Sequence, residues 1–454
     1  MKKLFNILVV LIALVTVQNA CFAFSASKVD KLILNSKLNE TSLIAVSIKN
    51  LDTNEVVYEK NAKKLLHPAS TLKIPTTYFS MNILGDDYLF RTGFYVDAEN
   101  NLYIKLGADP FLTSGKLKDA ILALKDKGLK SFNNLYIDDS IIDKKEFSTG
   151  WMWDDDVNPY TPKISAYNLD NNVVRVKMQD VGDGSVVSSM STDYPMSVFS
   201  TVKTGARLDK VEVNRFNWNN PELVEISGEM TSLRPVVFPI SSMRRYFIHA
   251  LDKAFEDNGI TFKSTQYASK LVPVNATLEQ EITSSVKPAY SKILHNSNNL
   301  YSETLFKIAG ANKYNSTGTE ALALATMEDF YKKLHVNFKD VIVKDGSGVS
   351  RNNLVTAEWM TDVLAKIYKQ KDFDKFKEYM PQTGDGTLSN RLHDLRGDAW
   401  LKTGSLANIS AISGYVNSQD GKTYALTIFI QNFKEDQRKV KKFEDEIITL
   451  IYNR

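Results

Sequence analysis

Three short strings lie far apart along the 454-residue chain: Ser70-Thr71-Leu72-Lys73, Ser297-Asn298-Asn299 and Lys402-Thr403-Gly404. If they serve one site, the fold must gather positions hundreds of residues apart into a single pocket, and few architectures do that. The residue types point to a chemistry. Ser-x-x-Lys at a helix start puts a hydroxyl and an ammonium on one face, because i and i+3 are helical neighbours. The helix dipole and the unpaired N–H groups there favour a developing negative charge. Lys-Thr-Gly after an apolar strand adds a second cation, a hydroxyl and a residue whose backbone a ligand can approach closely. Together they describe a nucleophilic serine served by lysines.

Each string also has copies. Ser-x-x-Lys recurs at Ser25–Lys28, Ser200–Lys203 and Ser284–Lys287, Lys-Thr-Gly at Lys203–Gly205, and Ser-x-Asn at Ser131–Asn133 and Ser350–Asn352. Context separates them. Pro68 precedes Ser70, and Leu72, Phe79 and Ile83 follow on helical spacing. Lys402 ends the apolar run Ala399-Trp400-Leu401 and a second strand pattern follows over 409–416. Ser297 opens a helical pattern with Leu300, Leu305 and Phe306 on its apolar side. For any one of these serines the plain alternative is a helix cap.

Other chemistries lack their signatures. The five histidines (His67, His249, His295, His335 and His393) form no His-Glu-x-x-His and no close pair, so no zinc hydrolase is read here. His67 and His295 flank the serine motifs and read as supporting groups. Gly346-Ser347-Gly348 and Gly384-Asp385-Gly386 are turns without the lysine a phosphate loop needs. Lys+Arg total 56 against Asp+Glu 53, a formal +3 with no dense basic cluster, which excludes a nucleic-acid partner. No cofactor and no metal ion is expected.

Lys2-Lys3, the apolar stretch Leu4–Val17 and the small-residue site around Cys21-Phe22-Ala23 read as a signal peptide over 1–23, removed on export. An uncleaved anchor is the alternative; a lipoprotein is disfavoured because Gln18-Asn19-Ala20 lacks the usual aliphatic residue. Cleavage takes two lysines, leaving a charge of 3 − 2 = +1, and removes the sole cysteine. A periplasmic location follows, with membrane association at most peripheral.

The pattern along the chain predicts a helix over 27–39, a β-hairpin over 42–58, and a helix after Ser70 kinked by Pro75. From 84 to 170 short strands bracket a helix over 116–127, 171–234 reads as strand after strand, and helix returns over 242–258. Beyond 285 the reading is helical up to Lys402, followed by three strands and a closing helix over 443–452. The hairpin and the last three strands predict one antiparallel sheet flanked by helices, an α/β (α+β) class. The expected domains are 24–83 with 285–454 as the catalytic domain, 84–170 with 235–284 as an inserted α/β domain, and 171–234 as a β-rich module nested within it.

The motif triplet is the set carried by penicillin-binding proteins and class A β-lactamases. With Lys105–Thr113, Gly150–Asp155, Lys344–Arg351, Met380–Leu388 and Leu401–Ser405, nearly all of the mature chain resembles the low-molecular-mass penicillin-binding proteins of the D-alanyl-D-alanine carboxypeptidase/endopeptidase type (DacB-like, peptidase S13). The long insertion between the first two motifs also resembles that group, and Asn298 stands where many relatives carry Asp. The resemblance implies a serine β-lactamase/transpeptidase-like sheet, peptidoglycan stem peptides as substrate, and β-lactams as covalent inhibitors. It implies that Ser70 forms the acyl-enzyme, Lys73 takes its proton, Ser297 relays a proton to the leaving amine, and Asn299 holds the substrate amide. Lys402, Thr403, Gly404 and Ser405 would bind the terminal carboxylate, with the Ser70 and Ser405 N–H groups as oxyanion hole. Asp155 would meet a side-chain amine and Arg351 a distal carboxylate. A lysine acting as base must lie well below its ordinary ~10.4, and burial and a second cation both push that way. The alternatives are a serine β-lactamase or esterase, and a catalytically degenerate cell-wall binding module.

Overall fold

In a computed structural model of the chain, the structure describes residues 26–182, 184–205, 209–215 and 220–454. The leader expected over 1–23 lies outside the described residues. The chain divides into two compact units, one made of residues up to 78 with 291–297 and 328–454, the other of 79–290 with 298–327. Residues 298–327, assigned from sequence to the catalytic domain, fall in the second unit.

The first unit is built on a five-stranded sheet. Its strands are β1 (Leu43–Asn50), β2 (Val56–Lys60), β3 (Ala399–Leu406), β4 (Ile409–Asn417) and β5 (Thr423–Gln431), in the order β3-β4-β5-β1-β2. All neighbours run antiparallel, with Leu43 opposite Gln431, Lys402 opposite Ser413 and Gly404 opposite Ala411. β1, β4 and β5 are buried on both faces, which explains their continuous apolar runs in place of alternation. Helices α1 (Ala26–Asn35) and α4 (Gln437–Tyr452) cover one face. Val29 and Ile33 from α1 and Val440, Phe443, Ile447, Ile448 and Ile451 from α4 pack onto Ile44, Val46, Ile412, Ile428 and Ile430. Helix α3 (Ala357–Tyr368) also packs against β1, β4 and β5.

Several boundaries differ from the sequence reading, each for a local reason. The first helix breaks at Asn35, and a short second turn starts at Leu38, whose N–H is taken by Ser36 Oγ at 3.1 Å. The closing helix begins six residues early because Asp436 caps it, while its lysine-rich first turn hides the apolar period. The expected kink at Pro75 takes another form. A 3₁₀ turn over Ala69–Leu72 passes into α2 (Lys73–Leu84), so Pro75 falls in the first α turn, where a missing donor costs little. The predicted helical run to Lys402 is also interrupted. Residues 334–356 and 379–398 are mostly turns, because Gly348, Gly384 and Gly386 hold positive φ and Asp345 takes three nearby donors.

The second unit holds a five-stranded mixed sheet (Thr261–Ser269, Ser131–Asp138, Leu102–Lys105, Leu89–Val96, Thr277–Ser285, in that spatial order) with helices Ser114–Asp126 and Met243–Asn258. Residues 173–239 add a three-stranded and a four-stranded sheet. The helix Asn299–Tyr314 is buried over its first thirteen residues, and its Lys307 is neutralised by Asp143 at 2.7 Å.

β3 is an edge strand, held along its whole length by β4 and on its other side only by a short bridge between Trp400 and Gln382. Gly414 of β4 has φ +153°, and a Cβ there would fall 2.1 Å from Trp400 O on β3. Gly414→Ala is therefore expected to cost about 3 kcal/mol or more of stability, measured by urea unfolding.

Candidate active site

Ser70 sits inside the 3₁₀ turn between two backbone anchors. Ala69 before it has φ +45°, a conformation that costs an L-residue about 1–3 kcal/mol and persists only where the surroundings enforce it. Here they do. The Ala69 N–H donates to His67 Nδ1 at 3.0 Å, and His67 Nε2 lies 2.6 Å from Ser350 O. Since Nδ1 accepts, Nε2 carries the proton and donates, so the neutral ring splints the turn to the 345–353 loop. Burial pushes the His67 pKa down and keeps it neutral.

The loop is organised by Asp345, whose carboxylate accepts from the N–H groups of Gly348 (2.8 Å) and Ser350 (2.6 Å) and from Asn353 Nδ2 (2.8 Å). Gly348 has φ +81°, and a Cβ there would lie 1.9 Å from Ala69 O, so only glycine lets the loop reach the turn. The result is a carbonyl aimed at a lysine. The fully buried Lys73 Nζ donates to Ser347 O at 2.5 Å and to Ser70 Oγ at 2.9 Å.

Lys402 arrives on β3. Its buried Nζ donates to Ser297 Oγ at 3.0 Å and to its neighbour's carbonyl, Thr403 O, at 2.7 Å. Ser297 adopts φ +57°, just ahead of a helix that Asn298 caps by accepting from Tyr301 N–H at 3.1 Å. The cap and the hydroxyl contact thus fall on neighbouring residues. Burial, and then the Lys73 charge, hold the Lys402 pKa well below the lysine range. His295, two residues before Ser297, is also lowered, by burial first and then by Lys402, against an opposing pull from Asp385.

Gly404 brings strand and turn together. A Cβ on it would stand 2.9 Å from both Ser70 N and Ala69 Cβ, so the strand backbone runs directly past the serine. Thr403 is buried and its Oγ1 donates to Thr387 Oγ1 at 2.7 Å, while Ser405 is exposed. Ser70, Lys73, Ser297, Lys402, Thr403 and Gly404 thus meet within the first unit.

The other expected residues are placed differently. Asn299 belongs to the second unit, where its side-chain amide donates to Tyr160 O at 2.6 Å. Asp155, also there, accepts from Met152 N–H at 3.0 Å and closes its own loop. Arg351 is half-buried and contributes its charge at His67. Ser347, Asp345 and Thr387 were not singled out from sequence. The Asp-Gly-Ser-Gly run does mark an Asp-led turn, but nothing local shows which lysine its carbonyl meets.

The motif copies have ordinary duties. Ser200 Oγ pairs with Ser185 Oγ at 2.6 Å, and Ser284 Oγ donates to Asp109 at 2.6 Å. Ser350 Oγ accepts from Asn352 N–H at 3.2 Å, and Lys203-Thr204 forms a two-residue strand with Lys203 exposed.

Protonation of Lys402 links to stability. An unfolded lysine titrates near ~10.4 and the native one lower, so between the two values the folded protein binds fewer protons. Stability therefore rises with pH across that window and is lowest below the native value. Lys402→Met is expected to abolish this slope, so the stability difference between the variant and the unaltered protein shifts in favour of the unaltered protein as pH rises toward the ordinary lysine value of ~10.4. Urea unfolding at a series of pH values measures it.

Similarity to known proteins extends over nearly the whole chain. Residues 25–452 match the model of the D-Ala-D-Ala carboxypeptidase 3 (S13) family. The D-alanyl-D-alanine carboxypeptidase DacB of Haemophilus influenzae is 25% identical over 419 residues, 88% of each chain. A D-alanyl-D-alanine carboxypeptidase of an Actinomadura species is 25% identical over 427 residues, 86% of this chain and 78% of that one. The crystal structure of penicillin binding protein 4 (dacB) from Haemophilus influenzae superposes with a TM-score of 0.82 at 25% identity, covering 94% of this chain and 99% of that one. The same protein complexed with a novel β-lactam gives a TM-score of 0.77 at 24% identity, covering 95% and 100%.

Proposed function

The chain belongs to the D-Ala-D-Ala carboxypeptidase 3 (S13) family and is a serine D,D-peptidase; we propose that its catalytic groups are Ser70, Lys73, Ser297, Asn299 and Lys402. The observation that carries the assignment is the pairing of two hydroxyls with two buried amines, Ser70 with Lys73 at 2.9 Å and Ser297 with Lys402 at 3.0 Å.

Ser70 Oγ attacks the carbonyl of the penultimate D-alanine of a peptidoglycan stem peptide, and a neutral Lys73 accepts the hydroxyl proton. The backbone N–H groups of Ser70 and Ser405 receive the oxyanion. Supporting this, Gly404 lets the strand pass within contact of Ser70 N. The C–N bond then breaks, and Ser297, proton-coupled to Lys402, delivers a proton to the leaving D-alanine amine. Asn299 holds the acyl donor's amide. As Ser297 gives its proton to the amine, the proton that Lys73 took from Ser70 passes to Ser297, leaving Lys73 neutral. Lys73 then takes a proton from the water that attacks the acyl carbonyl and returns it to Ser70 Oγ as the ester C–O bond breaks, releasing a tetrapeptide. Cross-linked D-Ala-diaminopimelate bonds present the same D-acyl carbonyl and are cut by the same steps. β-Lactams acylate Ser70 and stop there. Asp155 and Arg351 extend the site toward the stem-peptide side chain.

The leader pattern over 1–23 supports export to the periplasm. Among the described residues no helix is long and apolar enough to cross a membrane.

Labelled penicillin tests the reading. The unaltered protein forms a long-lived adduct, Ser70→Ala forms none, and Lys73→Ala acylates ~10²–10⁴-fold more slowly. Fast turnover of the label would instead make the protein a β-lactamase, and no adduct at all would make it a binding module. Digestion of purified peptidoglycan then separates the released D-alanine of a carboxypeptidase from the monomers of an endopeptidase.

A further inference from the structure

The turn that leads into β3 carries a hydroxyl that no motif accounts for. Thr403 Oγ1 donates to Thr387 Oγ1 at 2.7 Å; Thr403 is 6% exposed, whereas Thr387 faces solvent. A hydroxyl has one proton and two lone pairs. With the Thr403 proton committed to Thr387, the proton still available to an incoming anion is the one on Thr387.

We propose that Thr387 is a carboxylate-binding residue of the substrate site, acting with Thr403 as a two-hydroxyl relay on the terminal carboxylate of the peptide. The inference rests on the peptidase reading above and deepens it. Lysine cannot supply this contact alone. Lys402 already directs protons to Ser297 Oγ and Thr403 O, and its surroundings oppose its charge. The nearby Arg396 is offset by Asp385 at 3.3 Å. Neutral hydroxyl donors therefore carry much of the recognition.

Thr387 is exposed yet held. It lies in a 3₁₀ turn over Gly386–Leu388, and a Cβ on Gly386 would fall 2.4 Å from His295 O, so the turn is seated on the segment that leads to Ser297. Leu388 and Leu395 are anchored in the core. Between them Arg391 Nη2 donates to Glu444 at 2.9 Å, Asp445 at 2.7 Å and Lys441 O at 3.0 Å, tying the loop to α4. Glu444 is fully buried and also accepts from Ser410 Oγ at 2.6 Å, and Ser410 is the register partner of Ser405. One ionic strut thus fixes the loop bearing Thr387 and the strand opposite Ser405. A donor held this way loses little freedom on binding, so its hydrogen bond appears in affinity nearly undiminished.

The test uses two acyl donors with the same acyl part: a peptide ending in D-Ala-D-Ala, and an ester whose leaving group has no carboxylate. Thr387→Val is expected to raise KM for the peptide about 10-fold, with little change in kcat and none in either constant for the ester. Thr387→Ser restores the peptide KM. Thermal unfolding of each variant reports whether the loop is intact. An unchanged peptide KM in Thr387→Val overturns the proposal, as does an equal loss on both donors, which would make Thr387 a structural residue only. Absence of a labelled-penicillin adduct in the unaltered protein is a different failure, overturning the peptidase reading and this subsite with it.

Discussion

Two buried, electrostatically coupled lysine side chains, Lys73 and Lys402, set the terms for what surrounds them. Two ammonium groups at short range in a poorly polarisable interior repel by several kcal/mol, and each also loses its hydration. The pocket answers with carbonyl oxygens, Ser347 O for Lys73 and Thr403 O for Lys402, and with the hydroxyls of Ser70 and Ser297. These neutral oxygens satisfy the N–H donors they meet, while burial and the Lys73 charge hold Lys402 below the lysine range.

Delivering those carbonyls requires backbone in unusual conformations. Ala69 at φ +45° lies immediately before Ser70, and Ser297, whose hydroxyl meets Lys402, is at φ +57°. The first is held by His67 and the Asp345 loop, and at the second the Ser297 hydroxyl accepts from Lys402. Gly348, Gly386 and Gly404 are places where a Cβ would push neighbouring segments of the site apart. Strain and glycine therefore sit where two segments must touch, Gly414 of β4 against Trp400 of β3 included.

This division explains what could be read in the sequence. The five-stranded antiparallel sheet was legible because β1 and β5 are largely apolar runs, and the serine–lysine strings because residue type and spacing carry them. Placement of Lys402 over Lys203 rested on its flanking strands, which the structure shows as β3 and β4. The 334–356 and 379–398 turns were not legible. Their shape comes from side chain to backbone bonds such as those of Asp345, and from contacts such as Arg391 with Glu444, between residues more than fifty apart. Periodicity carries no trace of either. Thr387 escaped for the same reason, since a threonine in a polar turn acquires meaning only when its partner is known.

Chain connectivity raises one further question: how Ser70 and Ser297 come to serve one site at a sequence separation of 297 − 70 = 227. Loop closure grows only logarithmically with length, about 0.6 kcal/mol for each doubling, so length alone is a modest obstacle. The second unit reduces it further within its own fold. Leu89–Val96, near its start, pairs antiparallel with Thr277–Ser285, near its end, and Leu89 lies directly opposite Ser285. The excursion between those two positions is thereby closed by one ladder. It leaves and returns as adjacent strands, and the polypeptide linking the two serine motifs behaves as though it were a few tens of residues long. Sheets added inside that closed excursion, such as those of 173–239, leave its end points where they are. Their sequence is accordingly free of any requirement imposed by the distance between Ser70 and Ser297.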